Sequence, residues 1–195
     1  MLPLQRLSIA LATLAAAASA SASVLGARQT GCGPNFQGHP VSIIYADSNG
    51  VEELGVASDT VGANVITQAL TARTPQFLVE NSGHFPASYL IKDQGNHELV
   101  AYATAIPRAD AAIKLNNIDN TGADARQYWF LSCDTCSDPS FTVPPGGVFG
   151  TSCQIKNTAI GLCIQTTGIT GQPPVLAACY AGEAAQKFNF LREYL

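Results

Sequence analysis

The stretch Ile155-Lys156-Asn157-Thr158-Ala159-Ile160-Gly161-Leu162-Cys163-Ile164 is followed by Gly171-Gln172-Pro173-Pro174-Val175-Leu176-Ala177-Ala178-Cys179 and closed by Gln186-Lys187-Phe188. In each of the first two pieces a glycine opens a turn and a short apolar run ends at or beside a cysteine. Residues 162–165 and 175–179 are strand-sized and bounded by turn residues, which predicts short strands joined by tight connections.

The same landmarks recur upstream. Asn49-Gly50-Val51-Glu52-Glu53-Leu54-Gly55-Val56-Ala57 matches Gln94-Gly95-Asn96-His97-Glu98-Leu99-Val100-Ala101-Tyr102 at a turn glycine and a Glu-Leu pair, where the third copy has Cys163-Ile164. The pieces also end alike. Gln127-Tyr128-Trp129 and Gln186-Lys187-Phe188 are both Gln-x-aromatic, and Gln76-Phe77 lacks only the spacer. A repeated unit of this size is a supersecondary piece that must bury its apolar face against its copies. The closing rings Phe77, Trp129 and Phe188 are therefore expected to be buried near one another on a pseudo-threefold axis.

Further strand-sized runs lie at 41–46, 53–57, 77–79, 89–91, 99–104, 112–115, 128–131 and 188–191. So many short strands separated by turn signals predict an all-β barrel or sandwich. Val61, Val65, Ile66, Ala69 and Leu70 fall instead at helical spacing, which keeps an α+β arrangement open. Residues 133–150 hold Cys133, Cys136, Pro139, Pro144, Pro145, Gly146 and Gly147, and read as a long stapled loop between repeats two and three.

The final unit resembles a repeat of the ricin B-type lectin family, whose members are β-trefoils. The likeness rests on Gly161-Leu162-Cys163-Ile164, the turn at Gly171, the run ending in Cys179, and Gln186-Lys187-Phe188, with phenylalanine for the family's tryptophan. In the first two units it rests on Leu54, Leu99, Gln127 and Trp129. The resemblance implies an all-β trefoil over 23–195 and a Cys163–Cys179 disulfide inside the last repeat. It also implies a sugar site in which a carboxylate accepts from neighbouring hydroxyls and a ring takes the apolar face of the sugar. The carboxylate position, just after the Cys-Leu pair, is occupied by Gly55, Val100 and Gln165. The ring position holds Ala177, an amide position Val175, and the residue before the closing Gln is Ala185. This is a degenerate member by that pattern. Gln165, Gln172, Tyr180 and Gln186 are the remaining candidates for ligand contact.

The amino terminus carries an address. Arg6 is the only charged residue before Arg28, residues 7–18 are apolar, and Ala18-Ser19-Ala20 and Ala20-Ser21-Ala22 offer small residues for cleavage. This is the form of a secretory signal over 1–22. The apolar run reaches roughly 18 Å as a helix, short of the ~30 Å hydrocarbon core, so no membrane anchor is expected. In an exported chain the six cysteines are expected to form three disulfides. The pairing of Cys32, Cys133, Cys136 and Cys153 stays open among three possibilities. No Asn-x-Ser/Thr sequon is present.

Charged residues make up 12% of the 195, net charge is −4, and the Lys and Arg are scattered, so a nucleic-acid role lacks its electrostatic footprint. His39, His84 and His97 stand in no metal or hydrolase motif. Glu52 and Glu53 are adjacent, so on a strand they face opposite ways. No catalytic residues, metal or cofactor are expected. The function indicated is a secreted, non-catalytic carbohydrate-binding module with eroded sugar sites, its partner a glycan or glycoprotein. Two alternatives remain. One is a protease inhibitor presenting Ser140-Phe141-Thr142-Val143-Pro144 extended from the stapled loop. The other is a cell-wall or interaction protein using the trefoil as a scaffold.

Overall fold

A computed structural model describes residues 31–70, 76–104 and 112–193; the signal segment at 1–22 lies outside these. Three units of four strands follow one another. The first holds β1 (Pro40–Tyr45), β2 (Glu52–Val56), β3 (Val65–Ala69) and β4 (Phe77–Asn81). The second holds β5 (Ser88–Asp93), β6 (Leu99–Ala103), β7 (Ile113–Asn117) and β8 (Tyr128–Ser132). A two-residue strand β9 (Thr135–Cys136) precedes the third unit, which holds β10 (Val148–Asn157), β11 (Cys163–Gln165), β12 (Val175–Ala177) and β13 (Phe188–Arg192).

The first and last strand of each unit form a ring. β1 pairs β4, β4 pairs β5, β5 pairs β8, β8 pairs β10, β10 pairs β13, and β13 returns to β1. Closure removes the open sheet edges that would otherwise invite pairing with another chain. The middle strands form hairpins β2–β3, β6–β7 and β11–β12 that cap one end. The caps touch around the axis through the bridges Asn64–Lys114 and Ala112–Val175 and the Thr67 N–H donated to Gln172 O at 2.9 Å. The chain is a β-trefoil.

The ladder register shows the threefold repetition. Phe77, Trp129 and Phe188 sit opposite Val41, Tyr89 and Cys153 of their own units. They also sit opposite Asp93, Asn157 and Tyr45 of the next. In the same frame Ile43, Ile91 and Ile155 are equivalent, facing Phe190, Val79 and Leu131. All nine of these apolar side chains belong to one core, and the three closing rings are at most 1% exposed. Trp129 Nε1 donates to Ala101 O at 3.0 Å, satisfying its only polar group.

Two segments differ from their sequence expectations. Residues 65–69 form β3, not a helical turn: Val65 and Thr67 point inward while Ile66 and Gln68 are half-buried, the alternation of a strand paired to β2. The stapled loop ends earlier than its composition implies, because β10 starts at Val148 and runs ten residues. A side chain at Gly150 would place its Cβ 2.8 Å from Cys133 Sγ and 3.0 Å from Cys153 Sγ, so only glycine lets β10 pass over that disulfide.

The disulfides join Cys32–Cys136, Cys133–Cys153 and Cys163–Cys179. The first ties the segment before β1 to β9 across 104 residues, and the second clamps the base of the loop across 20. On the chain-entropy view such closures stabilise by about 3 to 5 kcal/mol each, the longer loop more.

Candidate functional site

Register aligns the positions that the sequence resemblance singles out. Glu53, Val100 and Cys163 are equivalent through their partners Ile44, Lys92 and Lys156. The carboxylate position two residues on is therefore Gly55, Tyr102 and Gln165. Val100 is a misassignment, because the Glu-Leu landmark of the second unit lies two residues out of register. Val100 is fully buried beside Leu90 and Tyr128.

In the third unit the structure brings Gln165, Tyr180 and Gln186 together and leaves Gln172 apart. Gln186 is fully buried. Its Nε2 donates to Gln165 Oε1 at 3.0 Å and Ala178 O at 2.7 Å. Its Oε1 accepts from Tyr180 N at 3.0 Å and Gln154 Nε2 at 3.2 Å. The amide is thus an internal latch holding the chain after β12 to the turn before β13. Gln127 does the same in unit two, accepting from Asp119 N at 3.0 Å and donating to Asp119 O at 2.9 Å. Tyr180 projects into solvent with its ring 64% exposed, while its backbone is held by Gln154 and Gln186. Gln172 lies near the β11–β12 turn, its carbonyl bound to Thr67 of unit one. Val175 pairs with Gln165 and Ala177 with Cys163, so neither of these positions supplies a ring or a charge.

In the second unit the equivalent positions hold an ion pair over a ring. Asp124 caps the 3-10 turn at Ala125–Gln127, accepting from Arg126 N. The Arg126 guanidinium then closes on the Asp124 carboxylate through Nε and Nη2, both at 2.8 Å, and lies 4.7 Å from the centre of the Tyr102 ring. This contact holds the Asp124 carboxyl below its ordinary range. Nearby Asp119 accepts from the Thr121 hydroxyl and from two backbone N–H groups, which lower its pKa to about 2.

The open site is a cleft of about 400 Å³ where unit three meets unit one. One wall is Thr166, Thr167 and Gly168 after β11; another is Glu183, Ala184 and Ala185 at the turn before β13. Tyr45, Asp47, Ser48 and Glu52 close it from the β1–β2 connection. Glu183 caps its turn by accepting from Ala185 N at 3.3 Å, as Asp124 does in unit two. Glu52 Oε1 accepts from the Thr170 hydroxyl at 2.9 Å. Three carboxylates and three aliphatic hydroxyls therefore line one concavity, with Val51 and Ile169 exposed beside it. Sequence reasoning missed this site because its walls lie more than a hundred residues apart and each wall alone reads as an ordinary turn.

Elsewhere, Glu53 and Glu193 are buried on the outer face of β1 about Ser42. Burial pushes the Glu53 carboxyl above the usual range, Gln68 Nε2 opposes that by donating to Glu53 Oε1 at 3.0 Å, and the charge of Glu193 adds to it. His39 stacks on Phe149 and His84 packs on Tyr128. Among the described residues no group of three or more His, Cys, Asp or Glu is placed to hold a metal. The tip of the 133–150 loop is not extended through Ser140. Phe141 N donates to Asp138 O in a tight turn, and Asp138 also accepts from Ser140. Phe141 is 71% exposed, while Val143 is buried and its carbonyl accepts from Arg192 Nη1.

No family model and no curated protein matches the chain. Solved structures do. A mosquitocidal holotoxin superposes with a TM-score of 0.62 at 11% identity over 82% of this chain and 18% of its own, so this chain spans under a fifth of that protein. The designed threefold-symmetric protein ThreeFoil superposes at 0.56 with 15% identity, covering 77% of this chain and 96% of its own. A Polyporus squamosus lectin, solved with Neu5Aca2-6Galb1-4GlcNAc bound, superposes at 0.54 with 18% identity, covering 80% and 50%. At these identities the likeness establishes the fold.

Proposed function

We propose that this protein is a secreted, non-catalytic carbohydrate-binding module whose binding surface is the cleft between units three and one. The observation that carries this reading is the convergence of Asp47, Glu52 and Glu183 with Ser48, Thr166 and Thr167 in a cavity of about 400 Å³. That volume lies in the range of small-molecule sites, about 300–1,000 Å³. Carboxylates that accept from paired hydroxyls are the strong element of sugar recognition, worth about 1.5–3 kcal/mol per charged hydrogen bond. The face around Gln165 lacks such a group; the cleft next to it has three. Exposed Val51 and Ile169 offer apolar surface for the carbon face of a pyranose. The signal-like amino terminus and three disulfides support export.

A glycan array probed with residues 23–195 tests this. Binding to a defined glycan subset is expected, and the triple variant D47N/E52Q/E183Q is expected to lose it while staying folded. Silence of the folded wild type across the array, or binding untouched by the triple variant, refutes the assignment. The protease-inhibitor alternative has less support, since the loop tip turns at Asp138–Phe141 and does not present an extended strand to a cleft.

A further inference from the structure

The pseudo-threefold axis lets one unit serve as a template for another. Gln127 and Gln186 are equivalent latches, so Asp124 corresponds to Glu183 and Arg126 to Ala185. Both acids do the same local work, capping the turn that leads to the closing ring. They differ in what neutralises them. Asp124 carries the Arg126 guanidinium on both oxygens. At Glu183 the arginine position is alanine, and Gly168 keeps the facing wall small as well. Among the described residues the ion pairs are Lys92–Glu80, Arg126–Asp124 and Lys187–Asp134, and none reaches Glu183, Glu52 or Asp47. Lys187 lines an adjoining depression with Asp47 and Ala184 and is bound to Asp134 and Ser152 O.

We infer that the cleft takes a glycan carrying a free, protonated amine, an amino sugar without its acetyl group, with the ammonium seated on Glu183 where unit two seats the Arg126 guanidinium. The inference rests on the proposed sugar cleft and narrows its ligand class. The geometry gives the reason for the choice. Truncation at Ala185 leaves space of ligand size beside Glu183, at the place where the fold elsewhere holds a cation against an acid. Ser48, Thr166 and Thr167 supply donors and acceptors for ring hydroxyls, and Asp47 and Glu52 extend the negative field. An N-acetyl group removes the charge and adds bulk. A sialic or uronic acid brings a carboxylate into a lining that has three. The preference is therefore opposite in sign to the acidic sugar in the Polyporus lectin structure.

The test is calorimetric titration of the mature protein at low salt with glucosamine oligomers, N-acetylglucosamine oligomers of equal length, and a lysine hexapeptide as a plain polycation. The glucosamine oligomer is expected to bind roughly tenfold or more tightly than the acetylated one, the step one charge-assisted hydrogen bond provides. A185R, which installs the unit-two cation, is expected to abolish that binding, and E183Q to weaken it by a similar factor should A185R fail to fold. If the acetylated oligomer binds equally and A185R still abolishes binding, the amine preference falls and the sugar cleft stands. If neither oligomer binds, or A185R and E183Q change nothing, both fall. Equal binding of the hexapeptide overturns the sugar part of the inference.

Discussion

Gln186 decides between two readings of the closing motif, as a sugar contact or as an internal latch, and Q186A separates them. The side chain is fully buried and makes four hydrogen bonds, two of them to backbone groups, Ala178 O and Tyr180 N. Alanine leaves both backbone groups without a partner. The four lost hydrogen bonds, which are part-buried, are worth about 0.5–1 kcal/mol each, so the variant is expected to lose about 2–4 kcal/mol in all. For a domain of this size that is a fall in Tm of roughly 6–12 °C. Urea unfolding followed by Trp129 fluorescence gives the free energy, and an unchanged m-value confirms that the same surface is exposed. Stability within about 0.5 kcal/mol of wild type, a typical surface-substitution effect, together with lost glycan binding, would show that the amide works outward and that the latch is wrong.

Other expectations follow from the same geometry. W129A removes the largest fully buried ring and a hydrogen bond to Ala101 O, and is expected to cost about 3–5 kcal/mol or prevent folding, measured by the same urea titration. The burial-raised carboxyl of Glu53 favours the protonated folded state, so its contribution is fully present below the unfolded pKa and lost as pH rises through the folded value. E53Q should therefore flatten the decline in Tm as pH rises from the ordinary carboxyl range through the raised folded value, and an unchanged Tm–pH profile would remove Glu53 as its source. Asp119 has the opposite sign: its folded pKa of about 2 favours the charged folded state, a contribution lost as pH falls toward that value. A carboxyl titration by NMR giving an ordinary aspartate pKa would refute its cage of donors. Loss of the Cys163–Cys179 bridge by the double serine variant should lower stability by about 3 kcal/mol on loop-closure grounds.

The fold was legible where strand, turn and closing ring repeat with their chemistry intact. Cys163, Gly171, Cys179 and the Gln-x-aromatic pair mark unit three, and Phe77, Trp129 and Phe188 occupy equivalent buried positions in the three units. Three features hid the rest. A slip of two residues preserves the inward face of a strand, so Leu99 looked equivalent to Leu54 although register pairs Leu54 with Ala101. Val61 lies outside β3 and lent Val65–Ala69 a false helical period. β10 was obscured because Gly150, Thr151, Ser152 and Gln154 carry little apolar signal, although Phe149, Cys153 and Ile155 alternate into the core.

The candidate site was less legible because it is defined by what is missing. Ala185 attracts no notice in a linear reading; its meaning appears only beside Arg126 in the equivalent unit. Glu52 and Thr170 meet across the unit boundary, and no local pattern announces that contact. At the positions the sequence resemblance singles out, the structure has a buried amide latch at Gln186 in unit three and an Arg126–Asp124 pair over Tyr102 in unit two.

The central claim is that ligand enters between units three and one. Backbone amide shifts of the isotope-labelled mature protein, followed while a glucosamine oligomer is added, test it most directly. The largest changes are expected at Asp47–Glu52, Thr166–Gly168 and Glu183–Ala185, with the Asp124–Arg126 turn of unit two silent. Saturable shifts centred on any other face, with those three segments unmoved, would contradict the account.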